Sequence, residues 1–167
     1  MMSIGVVSSG SNVHKYFIDK DNYYLTDKSE LKEAATWYGK GAELLGVKGE
    51  QVDEKLFLDL LHGRLPNGEQ VGIMRDGSVK HRPATDITFS APKSLSIMGL
   101  VAGDTRLIEV HNKAVEKALG KLEALYAEAR ITENGITNYE KTGNLTIATF
   151  RHTSSREKDP QLHTHGV

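Results

Sequence analysis

Two groups of residues in this 167-residue sequence have the types and spacing that chemistry needs. His163 and His165 stand two apart in LHTHGV. On a strand, residues i and i+2 share a face with Cα atoms roughly 7 Å apart, so two imidazoles there could converge on one ion. His152 closes the preceding alternating segment, and the intervening TSSREKDPQ is polar and contains Pro160, which suits the loop of an antiparallel hairpin. Such a hairpin would set His152 beside the pair and complete a three-nitrogen site with open positions, the way catalytic metals are held. Imidazole suits several divalent ions, so the donor set does not choose one. The competing reading is an ordinary hairpin with surface or core histidines.

The second group lies near the start. HKYFIDKDNYYL holds Tyr16, Tyr23 and Tyr24, three of the chain's six tyrosines. Aromatic clusters serve packing or stack on nucleic-acid bases. A tyrosine can also act as a covalent nucleophile. Its free pKa of roughly 10 means that a nearby cation or base must favour the phenolate at neutral pH.

Elements must position these groups. Alternation and length predict strands over Ile4–Val7, Asp86–Ser90, Leu145–Thr153 and Gln161–Val167. A helix is expected from Ser29 toward Gly39 and Gly41. Another starts at Asp53, because Val52, Leu56, Phe57, Leu60 and Leu61 share one face. Pro92 suits the first turn of a helix carrying Leu95, Ile97, Met98 and Leu100. The longest helix is predicted from about Thr105 to Ala129, with Leu107, Val110, Ala114, Val115, Ala118, Leu122, Leu125 and Ala129 at helical spacing. LPNGEQ and RDGS make the stretch from Gly63 to Arg82 a loop or hairpin. This mixed order predicts an α+β fold: an antiparallel sheet with flanking helices, in one domain over 1–167.

Bulk properties bound the rest. Hydrophobic residues are 38% and charged residues 26%, a globular composition. No cysteine is present, which excludes disulfides and thiolate metal sites and fits a reducing compartment. No run approaches the about 18 apolar residues of a membrane span, and MMSIGVVSSGSN lacks the basic and apolar regions of a signal peptide, so a cytoplasmic protein is expected. The net charge of −1 argues mildly against a nucleic-acid binder. Two local basic clusters, Lys80-His81-Arg82 and Arg151-His152 with Arg156, argue the other way.

Taken together, MMSIGVVSS with DKDNYY, WYGKGAELLGVKG, HRPATDITFSAPKSLSIM and TGNLTIATFRHTSSREKDPQLHTHGV resemble, in order, the conjugative relaxases of the TraI/TrwC family. The resemblance covers nearly the whole chain. It implies a histidine-metal relaxase fold and a bacterial, cytoplasmic enzyme that nicks single-stranded DNA at a plasmid transfer origin. Tyr16 matches the first nucleophile, and Tyr23 and Tyr24 match the pair used in a later strand transfer. Phe17 stands where many relatives have a second tyrosine, and phenylalanine cannot serve as a nucleophile. His152, His163 and His165 match the metal triad. Asp86 matches an acidic neighbour, either a proton acceptor or the orienter of a histidine ligand.

The implied cofactor is a divalent metal, Mg²⁺ or Mn²⁺ first, with Zn²⁺ or another ion left open. The implied partners are single-stranded origin DNA, relaxosome accessory proteins and a coupling protein. Lys80, Arg82, Lys93, Arg151 and Arg156 are candidate phosphate contacts. Relaxase domains of this family continue beyond the position of Val167, and no phosphate loop of a helicase occurs here, so the N-terminal portion of a relaxase domain is expected, truncated at its C-terminus. Three other readings stay open. They are an inactive DNA-binding fragment, a three-histidine phosphodiesterase that uses a metal-bound water, and a structural protein with incidental histidines.

Overall fold

The computed structural model describes residues 1–7, 34–75, 78–80, 82–133, 135–155 and 157–167. A five-stranded antiparallel sheet carries the histidine hairpin at its centre. In spatial order it runs β1 (Met2–Val7), β5 (Ala84–Ser90), β9 (Pro160–Gly166), β8 (Ile147–Ser154) and β2 (Ala35–Tyr38). Among the described residues four helices accompany it: α1 (Lys40–Leu44), α2 (Glu54–Leu61), α3 (Lys93–Leu100) and α4 (Thr105–Tyr126). Two short hairpins stand apart from the main sheet, β3 (Ile73–Arg75) with β4 (Ser78–Lys80), and β6 (Glu128–Glu133) with β7 (Ile136–Lys141). This is the expected α+β architecture with an antiparallel sheet.

Strand alternation gives the sheet two different faces. Trp37, Ala148 and Phe150 project to one face, where Ala42 of α1 and Phe57 and Leu61 of α2 cover them. Phe57 meets Phe150 edge-on, with ring centroids 5.2 Å apart. Phe89 and Ile147 project to the other face, against Val115 and Leu119 of α4. Burying one such side chain contributes roughly 1.5–3 kcal/mol, so both layers hold the sheet.

Local signals explain the helix starts. The Asp53 carboxylate accepts a hydrogen bond from the Leu56 N–H at 2.8 Å and caps α2. Pro92 precedes α3 as its cap residue, with extended ψ. Gly39 enters α1 at φ 97°, and a Cβ there would run into the Leu145 carbonyl, so only glycine fits this turn.

Three expectations need correction. Ala35–Tyr38 is a strand, not the end of a helix from Ser29; Thr36, Trp37 and Tyr38 favour the pleated half-buried setting beside β8. The longest helix ends at Tyr126, and Ala129 belongs to β6, paired with Glu140. The third concerns which face of α4 is buried. His111, Val115, Leu119 and Glu123 form that stripe, whereas Val110 and Leu125 are exposed.

Candidate metal centre

The β8–β9 hairpin sets His152 directly opposite His163, and Phe150 opposite His165. These pairs share one face of the sheet, so all three imidazoles gather there. Their ring centroids form a triangle, with each pair 5.2 Å apart. One nitrogen from each ring lies within 4.8 Å of the others, close enough to hold a single ion. His152 and His165 are buried and His163 is half-buried.

Hydrogen bonds fix which nitrogens His163 and His165 offer. His165 Nδ1 lies 3.0 Å from both carboxylate oxygens of Asp86 and 3.2 Å from the Thr88 hydroxyl. His163 Nδ1 donates to the Gln161 carbonyl at 3.0 Å. A ring that donates from Nδ1 presents a lone pair at Nε2, the usual arrangement behind a ligating histidine. The sheet register explains why Asp86 is there. Thr88 pairs with His165 across β5 and β9, and Asp86 sits two positions along on the same face. All-imidazole donors fit a borderline transition ion better than Mg²⁺, which prefers oxygen ligands.

The back of the hairpin is also polar. His111 of α4 is 7% exposed, and its Nε2 lies 3.0 Å from the Thr164 hydroxyl. Burial, then the positive Arg151, push its pKa down to about 4, so this imidazole is neutral in ordinary buffers. The Ser96 hydroxyl of α3 accepts from the Leu162 N–H at 3.0 Å and donates to the Pro92 carbonyl at 3.2 Å. Glu123, at the far end of α4, accepts from the backbone N–H of Lys40 at 2.7 Å and of Leu145 at 2.9 Å.

The other candidate site residues fall in different places. Tyr16, Tyr23, Tyr24 and Arg156 lie outside the described residues, as does the side chain of Lys80. Arg82 is exposed. Lys93 is exposed and lies 3.8 Å from Asp159. Arg151 is turned by strand alternation onto the helix face, away from the histidines, where it is 8% exposed beside a cavity of about 180 Å³ lined by Thr36, Tyr38, Asn112 and Thr164. A phosphate at the histidine face would not meet it. Sequence reading missed Thr88, Ser96 and His111. Ser96 and His111 act on β9 from behind, and only the positions of the neighbouring elements reveal that.

An antiparallel sheet that gathers three imidazoles on a central hairpin, one of them backed by a carboxylate, defines the class as an α+β protein with a candidate histidine metal site. A family model described as TrwC relaxase matches residues 10–167, and the chain belongs to that family. It is 48% identical over 167 residues to the multifunctional conjugation protein TraI of Escherichia coli, covering all of this chain and 9% of that protein. It superposes on a conjugative relaxase TrwC in complex with oriT DNA, metal-bound, with TM-score 0.82 and 43% identity, covering 100% of this chain and 56% of the other. A copper-bound form of the TrwC–oriT DNA complex matches with TM-score 0.85 at 42% identity and the same coverage. The chain thus spans just over half of those structures and a small part of TraI.

Proposed function

We propose that this chain is the metal-bearing part of a relaxase that cuts and rejoins one strand of DNA at a plasmid transfer origin through a covalent tyrosine intermediate. The observation that carries the proposal is the convergence of one ring nitrogen from each of His152, His163 and His165 within one ion's reach, with Asp86 behind His165. The DNA-bound, metal-bound TrwC relatives support the same reading.

His152, His163 and His165 would hold a divalent ion, which would supply Lewis-acid stabilisation of the charge that builds on the scissile phosphate. Asp86 holds the His165 ring in the tautomer that offers Nε2, and the Gln161 carbonyl does the same for His163. The Tyr16 hydroxyl loses its proton and attacks phosphorus in line. The Tyr16 O–P bond forms as the P–O3′ bond breaks, leaving a 5′-phosphotyrosine on the protein and a protonated 3′-hydroxyl on the DNA. No water enters the exchange, so the phosphodiester energy is kept for rejoining. Tyr23 or Tyr24 then takes part in a second transfer. Arg82 and Lys93, both exposed, are candidate phosphate contacts, with Lys80 and Arg156 from sequence alone.

The test uses labelled single-stranded transfer-origin oligonucleotides with Mn²⁺, read on a denaturing gel. A labelled protein band is expected that disappears with chelator, in Tyr16→Phe and in His163→Ala. Cleavage with free products and no protein band would replace the relaxase reading with that of a histidine-metal phosphodiesterase. Binding without cleavage, unaffected by Tyr16→Phe, would leave a DNA-binding module.

A further inference from the structure

We infer that His111 and Ser96 are positioning residues of the histidine centre, acting on β9 from the opposite face of the sheet. The inference rests on the metal reading of His152, His163 and His165. The ligand strand alternates: Leu162, Thr164 and Gly166 face the helices, while His163 and His165 between them face the other way. Both residues that precede a ligand are gripped by buried polar groups. The Ser96 hydroxyl binds the Leu162 N–H, and His111 Nε2 binds the Thr164 hydroxyl. Ser96 is 0% exposed and Leu162 0%, while Thr164 is 5%.

Each grip has a reason in the fold. The regular part of β5 ends at Ser90, where the chain turns into Pro92, so the ladder supplies no strand acceptor for the Leu162 N–H. The Ser96 hydroxyl takes that place from the first turns of α3, and the Ala91 N–H donates to the Leu162 carbonyl at 2.9 Å. Pairing between β8 and β9 is irregular here, with a register shift between His152 and Ser154. Such a bulge loosens the ladder beside the ligands, and contacts from outside the sheet must then fix the strand. His111 does this one residue from each of His163 and His165. A hydrogen bond from a helix to the middle residue of an H-x-H pair sets the height and twist of both ligand backbones at once. Because a buried polar group left unpaired is costly, the strand has one favoured seat on α3 and α4.

A displaced ligand backbone lowers metal affinity even where the fold survives, as the removal of groups that support ligands generally does. The experiment measures Mn²⁺ affinity by titration calorimetry and melting temperature on the same samples. It covers the wild-type chain, His111→Leu, Thr164→Val, the double variant, and Glu123→Ala and His163→Ala as controls. Glu123→Ala loosens the far end of the same helix, where the carboxylate holds the Lys40 and Leu145 N–H groups. His111→Leu and Thr164→Val are each expected to weaken Mn²⁺ binding by about tenfold. The double variant should be no weaker than either single one, because both remove one shared hydrogen bond. Glu123→Ala should lower the melting temperature and leave the affinity unchanged. Cobalt(II) absorption in the visible gives a second readout, with the band pattern expected to change in His111→Leu and not in Glu123→Ala. Should His111→Leu fail to fold, Thr164→Val alone carries the test, since it keeps the shape of the strand residue. Wild-type affinity in His111→Leu and Thr164→Val would overturn the positioning role and leave the metal centre standing. If the wild-type chain binds no ion and His163→Ala behaves identically, the metal reading itself falls and takes the positioning role with it.

Discussion

At the scale of single residues, the site is built from groups that serve by holding other groups. Asp86 holds His165, with both carboxylate oxygens 3.0 Å from Nδ1. Asp86→Ala should therefore reduce metal affinity about 10- to 100-fold with little change in melting temperature, which calorimetry would show. Unchanged affinity would make the Asp86–His165 hydrogen bond incidental. His111 gives a prediction in pH. Its folded pKa of about 4 lies below the unfolded value of 6.5, so the unfolded chain binds the extra proton between those values. The contribution of neutral, buried His111 is complete above pH 6.5 and is lost as pH falls toward 4. In metal-free urea titrations, the wild-type chain should lose more stability between pH 7 and 5 than His111→Leu does. Equal losses would mean that His111 titrates normally. The H-x-H pair and His152 are legible in the sequence because a two-residue period and a polar loop suffice to place them. His111 is not, because a lone histidine on an amphipathic helix carries no sign of what packs behind it.

At the scale of elements, α4 shows where pattern reading runs out. Its apolar residues keep helical spacing, so the helix itself is predictable, yet the buried stripe is His111, Val115, Leu119 and Glu123. Two of those four are polar, and hydropathy alone rotates the stripe toward Val110 and Leu125. Each buried polar group is retained because it has partners. Glu123 satisfies two backbone N–H groups where α1 and β8 begin. Glu123→Ala leaves both unpaired and should cost about 3 kcal/mol, read as a lower urea midpoint at unchanged slope. A shift below about 0.5 kcal/mol would mean that water replaces the carboxylate without penalty. The strand Ala35–Tyr38 escaped sequence reading for a related reason. Its pairing partner β8 is distant in the chain, and a reading confined to neighbouring residues does not register that non-local pairing.

At the scale of the whole molecule, the sheet separates two jobs. One face carries the histidines and the aromatic layer under α2, and the other carries α3 and α4, which fix the ligand strand from behind. Among the described residues no helix is long and apolar enough to cross a membrane. The net charge of −1 gives no general attraction to nucleic acid, so the proposed DNA binding would have to come from local cations. Binding of a single-stranded origin oligonucleotide should weaken with salt, by about 0.7 log units per log salt for each phosphate neutralised. Fluorescence anisotropy from 50 to 300 mM salt would measure the slope, and Arg82→Ala should reduce it by about one phosphate. An unchanged slope would remove Arg82 from the DNA contacts.

The central claim is that three Nε2 atoms converge on one ion, and anomalous scattering tests it most directly. Crystals soaked in a transition-metal salt and measured across that metal's absorption edge should show one peak about 2 Å from Nε2 of His152, His163 and His165, with Asp86 still bonded to His165 Nδ1. A peak bound elsewhere, or rings flipped to ligate through Nδ1, would contradict the account.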